Sequence, residues 1–360
     1  MRDSAPNRWL ALVGAALLLV TACTSAATPA PTAAPTAAPT TAGSAAPAGP
    51  AAERAKVCEA GKAEGKLVYW NLFAFPDKII AEFNKVYPGI QVDFVSNHPD
   101  DLVQGLLTEL AAGRKPTADI LYGELNILRS VVAVKGINET IDWKALGVKE
   151  DILTQFANVV RLFRVAMGLS YNTKVTKAEE LPATWSGLLN VKWKGQIVAD
   201  PRGRPFDQMS ITNGREYMLN YVRQLKALNP IMIRGGTAGI LAVASEQAKI
   251  STGGRSAETF EQKAKGSPIE IKYLDIIPTI DSYNMVTAGS THPNAAACMV
   301  AWLATDGQKI HDEIEFKSNI TIPTGAPADA KYAIVDNAFN AELVQSAGKQ
   351  FGDILTGIAK

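Results

Sequence analysis

The feature of this sequence that most constrains its fold is an alternation of short apolar runs with amphipathic segments. Residues 66–70, 90–95 and 118–122 have the composition that is typical of strands, and the second of these runs alternates apolar and polar positions. Each run is followed by a segment in which apolar residues recur every three or four positions, as they do along one face of a helix. Helical crossovers between successive strands indicate a parallel sheet, so we predict an α/β fold.

The same alternation continues in the second half of the chain. Strands are predicted at residues 165–171, 196–199, 248–251 and 269–274, and helices at 216–228 and 293–303. A chain of 360 residues is also too long for one ordinary core, because single cores stop growing at about 250–300 residues. The folded part is therefore expected to contain more than one α/β unit.

The first 22 residues predict a bacterial lipoprotein signal peptide. Arg2 and Arg8 provide positive charge, and residues 9–20 form an apolar run of 12 residues, which is too short to cross a hydrocarbon layer of about 30 Å as a helix. Val20-Thr21-Ala22 then precede Cys23, and this arrangement resembles the bacterial lipobox, in which the cysteine is lipidated and becomes the new N-terminus. We expect Cys23 to be acylated, with palmitate among the acyl groups; the alternative is an ordinary signal peptide with a chance cysteine.

Residues 23–50 are expected to form a lipidated tether. Positions 24–50 contain only Ala, Pro, Thr, Ser and Gly, which cannot build a core, so this segment is predicted to be disordered. Removal of residues 1–22 leaves 34 basic and 34 acidic side chains, so membrane attachment must come from lipid rather than from charge. A balanced charge also gives no indication of a nucleic-acid partner.

The sequence lacks the motifs that carry common enzyme chemistry. It has no Gly-x-Ser-x-Gly elbow, no His-Glu-x-x-His pair and no glycine-rich phosphate loop with a Lys-Ser/Thr partner. The run at residues 235–239 is glycine-rich, and we interpret it as a flexible turn before a helix. Of the three histidines only His98 follows a predicted strand end, where a solvated loop residue is an equally good interpretation. We therefore predict that the protein is not an enzyme and needs no metal or cofactor.

Two cysteines remain in the folded part, Cys58 and Cys298. Export would permit a disulfide between them. Because Cys298 lies in an apolar helical run, we interpret both as buried free thiols.

Candidate binding residues follow from the strand ends, because ligands of open parallel sheets bind beyond the carboxyl ends of the strands. These ends are rich in aromatic, small polar and arginine side chains and have few acid–base pairs, which is typical of a recognition surface. For the aromatic residues the alternative is a place in the core, and for the arginines it is a solvated surface. The candidates are Trp70, Asn71, Phe73, Tyr122, Glu124, Arg202, Arg204, Ser251, Thr252 and Arg255.

Several short motifs occur in a characteristic order behind the lipobox and the tether. They are Glu64-Gly65-Lys66-Leu67-Val68-Tyr69, Ala118-Asp119-Ile120-Leu121, Gly168-Leu169-Ser170-Tyr171-Asn172-Thr173-Lys174, Leu181-Pro182-Ala183-Thr184-Trp185, Trp193-Lys194-Gly195 with Ala199-Asp200-Pro201, and His292-Pro293-Asn294-Ala295-Ala296. In this order the chain resembles the extracellular solute-binding proteins of ATP-binding-cassette (ABC) importers, and the group that binds ferric iron and related substrates most of all.

This resemblance implies a two-lobed fold of the periplasmic-binding-protein type (type II), with ligand trapped between lobes that are joined by a hinge. Lobe 1 is expected at residues 51–170 and lobe 2 at 171–275, with a return to lobe 1 and C-terminal helices at 276–360. It also implies a monomer that is exported to the cell envelope, binds a small molecule and delivers it to ABC permease subunits.

The ferric members of this group use a histidine, a glutamate and two adjacent tyrosines. Glu124 keeps a candidate glutamate, but the expected place of the tyrosine pair reads Ser251-Thr252-Gly253-Gly254-Arg255, and the loop at residues 71–75 has no histidine. Phenolate oxygens suit a ferric ion, whereas an arginine suits an anion. We therefore expect a small anionic organic solute; the alternatives are a ferric iron carrier, a secreted enzyme on the same scaffold and a ligand-sensing lipoprotein.

Overall fold

The computed structural model describes residues 49–72, 75–154, 157–317 and 325–359. The predicted signal peptide, Cys23, nearly all of the predicted tether and Phe73 lie outside these residues. The first part of the described chain begins with a helix that was not predicted and then alternates strands and helices, as predicted. Its elements are α1 (Pro50–Glu64), β1 (Lys66–Asn71), α2 (Pro76–Val86), β2 (Gln91–Ser96), α3 (Pro99–Ala111), β3 (Ile120–Gly123) and α4 (Leu125–Ala133).

Local sequence signals explain where these helices begin. Pro76 and Pro99 occupy the first turns of α2 and α3, where the missing N–H of proline costs no hydrogen bond. Acidic residues follow directly, Asp77 in α2 and Asp100 and Asp101 in α3, and they favour the positive helix end. β1 pairs in parallel with both β2 and β3, so the parallel arrangement predicted for this part is confirmed.

The second part of the chain builds another α/β layer. The strand at Ile197–Ala199 pairs in parallel with the strands at Ile231–Met232 and Ile250–Arg255. The elements are β4 (Val160–Asn172), β5 (Ile197–Ala199), α5 (Phe206–Asn213), α6 (Arg215–Ala227), β6 (Ile231–Met232), α7 (Gly236–Ala244), β7 (Ile250–Arg255), α8 (Ser256–Ala264), β8 (Ile269–Lys272), β9 (Ile276–Val286), α9 (Pro293–Leu303), α10 (Gln308–Glu315), β10 (Lys331–Ala333) and α11 (Ala338–Thr356). Within the described ranges, no helix is both long enough and apolar enough to cross a membrane.

Two long strands, β4 and β9, join the lobes, and they make the sheet mixed rather than parallel. The strand order is β2-β1-β3-β9-β4-β7-β5-β6, and β9 runs antiparallel to both β3 and β4. The first half of β4 pairs with β9, and its second half pairs with β7 and β8. The fold is therefore two-lobed α/β with a hinge at these strands.

A buried ion pair ties the hinge strands together. Arg164 lies opposite Asp281 in the antiparallel register and donates to its carboxylate, with 2.7 Å between Nε and Oδ1. Arg161 of β4 lies 3.8 Å from the same carboxylate. These side chains are almost fully buried, which favours a defined pairing of the two strands because an unpaired charge there would be costly.

Each lobe has its own hydrophobic core. Tyr69, Phe83 and Trp302 are buried in the first, and Trp185 and Phe206 in the second. α11 packs against α5 and α6 of the second lobe and also against α4 of the first. The C-terminal helix therefore touches both lobes.

Cys58 and Cys298 form a disulfide, so the interpretation of two free thiols was wrong. The cause is the close packing of α1 on α9, which brings the two Cα atoms to 4.9 Å. Gly61 permits this approach, because a Cβ at that position would lie 2.7 Å from the Cα of Ala295. Glu64 at the end of α1 also accepts hydrogen bonds from the first N–H groups of α9.

Candidate functional site

A cavity of about 360 Å³ lies between the two lobes and is lined by half of the predicted site residues. The first lobe contributes Tyr122, which lies in β3, and Glu124, which directly follows the last residue of that strand. The second lobe contributes Arg202 and Arg204 from the loop after β5, and Arg255 from the end of β7. These five residues stand at carboxyl ends of strands, which is where the general rule for α/β sheets places a ligand.

Two predicted residues of the first strand end are not part of the lining. Asn71 is fully buried and donates from Nδ2 to the hydroxyl of Tyr69 over 2.6 Å, so it serves the interior of the lobe. The ring of Trp70 packs against α3 at Gly105, where a Cβ would lie 3.2 Å from the ring. Neither side chain belongs to the lining of the cavity.

Ser251 and Thr252 are also buried away from the cavity. The hydroxyl of Thr252 donates to the carbonyl oxygen of Val198 over 3.2 Å. Ser251 lies beneath α7, close to Gly239. The strand β7 thus buries these two residues and presents only its last residue, Arg255, to the cavity.

The arginines differ in their partners. Arg202 folds back onto Asp200 of its own loop, with 2.7 Å between Nη2 and Oδ2. Arg204 crosses between the lobes and donates from Nη1 to Glu124 over 3.2 Å. Arg255 donates from Nη1 to Glu258 of α8 over 3.2 Å. The ion pair of Arg204 and Glu124 therefore links the two walls of the cavity directly.

The protonation states around Arg204 follow from burial and charge. Burial by itself would raise the pKa of Glu124, but the charge and the hydrogen bond of Arg204 outweigh burial and hold that pKa below its ordinary value. Burial raises the pKa of Asp207 to about 7, although Arg204 opposes the rise. Asp207 Oδ2 lies 4.0 Å from Arg204 Nε. Arg204 is thus held by one ionised carboxylate and stands beside a second that titrates near neutrality.

The N-terminus of α7 forms part of the cavity wall, which sequence reasoning missed. Gly235, Gly236, Thr237 and Ala238 line the cavity, and the run that we interpreted as a turn already begins the helix at Gly236. The first N–H groups of a helix have no partners within it and carry partial positive charge, so they favour an anion. The signal was present, because the glycines directly precede an apolar run at residues 240–243.

Gly236 also makes room for an arginine. A Cβ at that position would lie 2.9 Å from Nε of Arg255 and 3.1 Å from the carbonyl oxygen of Gly253. Only glycine therefore lets the guanidinium of Arg255 lie against the start of α7. The glycine-rich run serves side-chain placement as well as helix initiation.

Other lining residues were not predicted from strand ends. Arg234 and Lys317 add positive charge, Glu258 adds a carboxylate, and Phe163, Val165, Ile127 and Ile280 form an apolar surface. His98, the one histidine that was considered, lines the cavity at the start of α3. Apart from His98, the predicted strand ends did not include these residues, for different reasons. Arg234 follows β6, a short strand that was not predicted, Lys317 follows α10, and the others lie on helices or in the hinge strands.

Tyr122 is a hydrogen-bonded phenol and not a phenolate. Burial raises its pKa, with a smaller contribution from Glu124, while a hydrogen bond to Ser282 opposes the rise. Its hydroxyl lies 2.9 Å from that of Ser282. Among the described residues that line the cavity, Tyr122 is the single tyrosine.

The charge of the lining favours an anion. Among the described lining residues there are five cationic side chains, Arg202, Arg204, Arg234, Arg255 and Lys317, against the two carboxylates Glu124 and Glu258, which leaves three positive charges in excess. Guanidinium groups bind carboxylates and phosphates through paired hydrogen bonds. The apolar surface beside them suits the carbon skeleton of a small organic molecule.

Residues 73–310 match the family model that describes bacterial extracellular solute-binding proteins. No curated protein matches this chain in sequence.

Solved structures of similar fold include several periplasmic and metal-binding proteins. Iron-bound HitA from Pseudomonas aeruginosa has a TM-score of 0.65 and 18% identity, with 80% of this chain and 99% of that chain covered. Apo ferric ion-binding protein A from Pasteurella haemolytica has a TM-score of 0.66 and 16% identity, with 81% and 98% covered. The periplasmic binding protein AfuA from Actinobacillus pleuropneumoniae, which contains fructose-6-phosphate, has a TM-score of 0.63 and 16% identity, with 80% and 97% covered.

Proposed function

Because the chain belongs to the family of bacterial extracellular solute-binding proteins, we propose that it captures a small anionic organic solute between its lobes and delivers it to an ABC permease. Members of this family are transport proteins and not enzymes. The ligand class is a carboxylate, phosphate, phosphonate or sulfonate that carries a carbon skeleton. The observation that carries this proposal is the excess of positive charge that both a loop and a helix start present to one cavity.

The mechanism is closure of the hinge on the ligand. A ligand that contacts both lobes stabilises the closed arrangement in proportion to its higher affinity for that arrangement. Arg202, Arg204 and Arg255 bind the oxyanion from the second lobe, and Glu124 and Tyr122 face it from the first. Phe163, on the hinge strand β4, packs against the carbon skeleton.

Attachment to the membrane is a separate part of the proposal. Cys23 carries the lipid, and the Ala/Pro/Thr segment that follows it gives the folded lobes distance from the membrane. A single acyl chain binds a membrane only marginally, so stable anchoring requires more than one. This keeps the protein at the cell envelope, near its permease.

The rival ligand is ferric iron: the structure of HitA is iron-bound, and ferric ion-binding protein A is named for that ion. The described lining offers one tyrosine, and burial keeps its hydroxyl protonated, so phenolate ligands are disfavoured. AfuA contains fructose-6-phosphate, which is an anionic organic solute on the same fold. This relative supports the anionic class for the present chain.

The test is calorimetry of the purified protein against a panel of carboxylates, phosphate esters, phosphonates, sulfonates, neutral sugars and ferric citrate. We expect tight binding of at least one anionic class. Replacing Arg202, Arg204 or Arg255 by alanine should weaken that binding by about 10–100-fold in at least one case, because a charge-assisted hydrogen bond from a desolvated site is lost.

Arg223→Ala is the matched control, since Arg223 is an exposed arginine of α6 whose side chain bonds only Asn220 in the described structure. Binding of neutral sugars alone would refute the anionic class. A stoichiometric coloured iron complex that survives a competing chelator would establish the ferric alternative instead.

A further inference from the structure

Glu258 is a carboxylate in a cavity that otherwise favours anions. It lies in the first turn of α8, and its Oε1 accepts the hydrogen bond from Nη1 of Arg255 over 3.2 Å. Its second oxygen, Oε2, is shielded from solvent and accepts no hydrogen bond from the described residues. A buried carboxylate oxygen without a donor is unfavourable, and such atoms in native proteins usually have a specific role.

Local structure explains the charge of Glu258 but not this unpaired atom. An acidic residue in the first turn of a helix is favoured by the helix dipole, and the ion pair with Arg255 neutralises it in part. Neither interaction supplies a donor to Oε2. Placing a second negative charge beside the ligand site also weakens the binding of any simple anion. Contacts within the described protein therefore do not account for the position of this carboxylate.

The partner of Glu258 shows a matching feature. Nε of Arg255 is also buried and donates to no described group. One side-chain pair in the wall of the cavity thus has an unused donor and an unused acceptor. A molecule with an acceptor and a donor close together would complement both.

We infer that the ligand carries a hydroxyl or ammonium group next to its anionic group, and that Oε2 of Glu258 accepts a hydrogen bond from this group. This inference rests on the proposed function, because it assumes that an anion occupies the arginine side of the cavity. Glu258 then sets specificity: it selects hydroxylated or aminated oxyanions and rejects plain alkyl oxyanions and inorganic ions. A site built to accept a hydrogen bond discriminates strongly against analogues that lack the donor, because its own polar atom stays unpaired when they bind.

The experiment measures selectivity within one set of phosphate monoesters of similar size. Glycerol 3-phosphate carries hydroxyl donors, 2-aminoethyl phosphate carries an ammonium donor, and propyl phosphate carries neither. Calorimetry is done with the wild type, Glu258→Gln and the control Glu261→Gln. Glu261 is on the same helix, pairs with Lys265 and does not line the cavity. Thermal melts verify that all three proteins are folded.

The wild type should bind at least one donor-bearing ester about tenfold or more tightly than propyl phosphate. Preference for the aminated ester would identify an ammonium donor, and preference for glycerol 3-phosphate a hydroxyl donor. Glu258→Gln should reduce the preference for the aminated ester most, since an amide no longer attracts its charge, whereas Glu261→Gln should leave every ratio unchanged. The readout is the ratio of the affinity for each donor-bearing ester to the affinity for propyl phosphate. Absolute affinities are not used, because Glu258→Gln frees Arg255 from its ion pair and raises the affinity for all three esters together.

Two results would overturn the inference in different ways. If all three esters bind the wild type equally, an anion site exists but Glu258 does not accept a hydrogen bond from the ligand. If none of the esters binds, and the carboxylates, phosphonates and sulfonates of the wider panel also fail, the proposed function itself is wrong.

Discussion

Replacing Glu124 by glutamine should strengthen the binding of an anionic ligand. Glu124 donates nothing to such a ligand and competes with it for Arg204, to which it is bound across the two lobes at 3.2 Å. Glutamine keeps the size of the side chain and a carbonyl acceptor for Arg204 while it removes the negative charge. The excess positive charge among the described lining residues would rise from three to four.

The magnitude follows from the shared guanidinium. A ligand oxyanion and the Glu124 carboxylate that bind the same group lie roughly 5–6 Å apart, and at an effective dielectric constant of about 20 their repulsion is about 3 kcal/mol. Both Glu124 and Arg204 keep 16% of their side-chain surface exposed, so some of this repulsion is screened. We expect a gain of about 1–2 kcal/mol, or roughly 5–30-fold in affinity. The weaker link between the lobes opposes this gain, but glutamine retains a hydrogen bond and the loss is smaller.

The assay is calorimetry of wild type and Glu124→Gln with the tightest anionic ligand of the panel. Glu342→Gln is the matched control for net charge: Glu342 is largely exposed, faces Arg129 at 3.7 Å and lies outside the cavity. A decrease in affinity for Glu124→Gln would refute the reasoning, because it would mean that Glu124 accepts a hydrogen bond from the ligand or coordinates a cation.

Three further outcomes are expected. Replacing Cys58 and Cys298 together by alanine should lower the free energy of unfolding by about 2–5 kcal/mol in denaturant titrations, because the bond closes a loop with a sequence separation of 240, and ligand affinity should not change. Burial raises the pKa of Asp207 from 3.8 to about 7, so between these pH values the native state holds a proton that the unfolded state has lost. The wild type should therefore lose stability relative to Asp207→Asn as the pH rises from 5 to 8. Melting temperatures of the two proteins that change in parallel over this pH range would contradict this. Cys23→Ser should release the protein from the membrane fraction, and identical fractionation of both forms with no lipid mass on the N-terminal peptide would contradict the lipobox interpretation.

Much of the fold could be predicted because local patterns determine it. The predicted helix at residues 293–303 has the bounds of α9. The predicted strand at 66–70 ends one residue before β1 does, and the one at 90–95 is shifted by one residue from β2. Apolar periodicity and proline at helix starts are properties of neighbouring residues, so they are readable in one sequence. The antiparallel insertion of β9 between β3 and β4 was not predicted, because strand order depends on contacts between residues more than a hundred positions apart.

The disulfide was missed for the same reason. Cys298 lies in an apolar helix, and this composition suits a buried free thiol as well as a bridged one. What decides is the packing of α1 on α9, which the small residue Gly61 allows and which no local pattern reports. In an exported chain, two cysteines on helices that pack against the same core are better interpreted as a disulfide.

The sequence predicted which residues lie near the cavity, but not which side chain each arginine pairs with. Tyr122, Glu124 and the three arginines, which were chosen from strand ends, line one cavity because the edge of a sheet gathers such residues; their role in binding stays a prediction. Which arginine is tied to its own loop and which crosses to the other lobe was not readable. This matters for stability, because removal of Arg204 leaves Glu124 buried without its cation, and Arg204→Ala should destabilise the unliganded protein more than Arg202→Ala.

The different roles of Arg202 and Arg204 originate in the glycine between them and in the last helix of the chain. Gly203 has a φ of 83°, a left-handed conformation that turns the loop so that its two neighbours point to different partners. α11 packs directly against this turn: a Cβ at residue 203 would lie 2.8 Å from the Cβ of Phe351 and 2.9 Å from the carbonyl oxygen of Gly348. Since α11 also contacts α4, which starts directly after Glu124, one helix supports both members of the ion pair that joins the lobes. The C-terminal helix therefore positions the loop that carries Arg202 and Arg204 without lining the cavity, and its small residues at 348 and 352 are required by that loop and not by the helix itself.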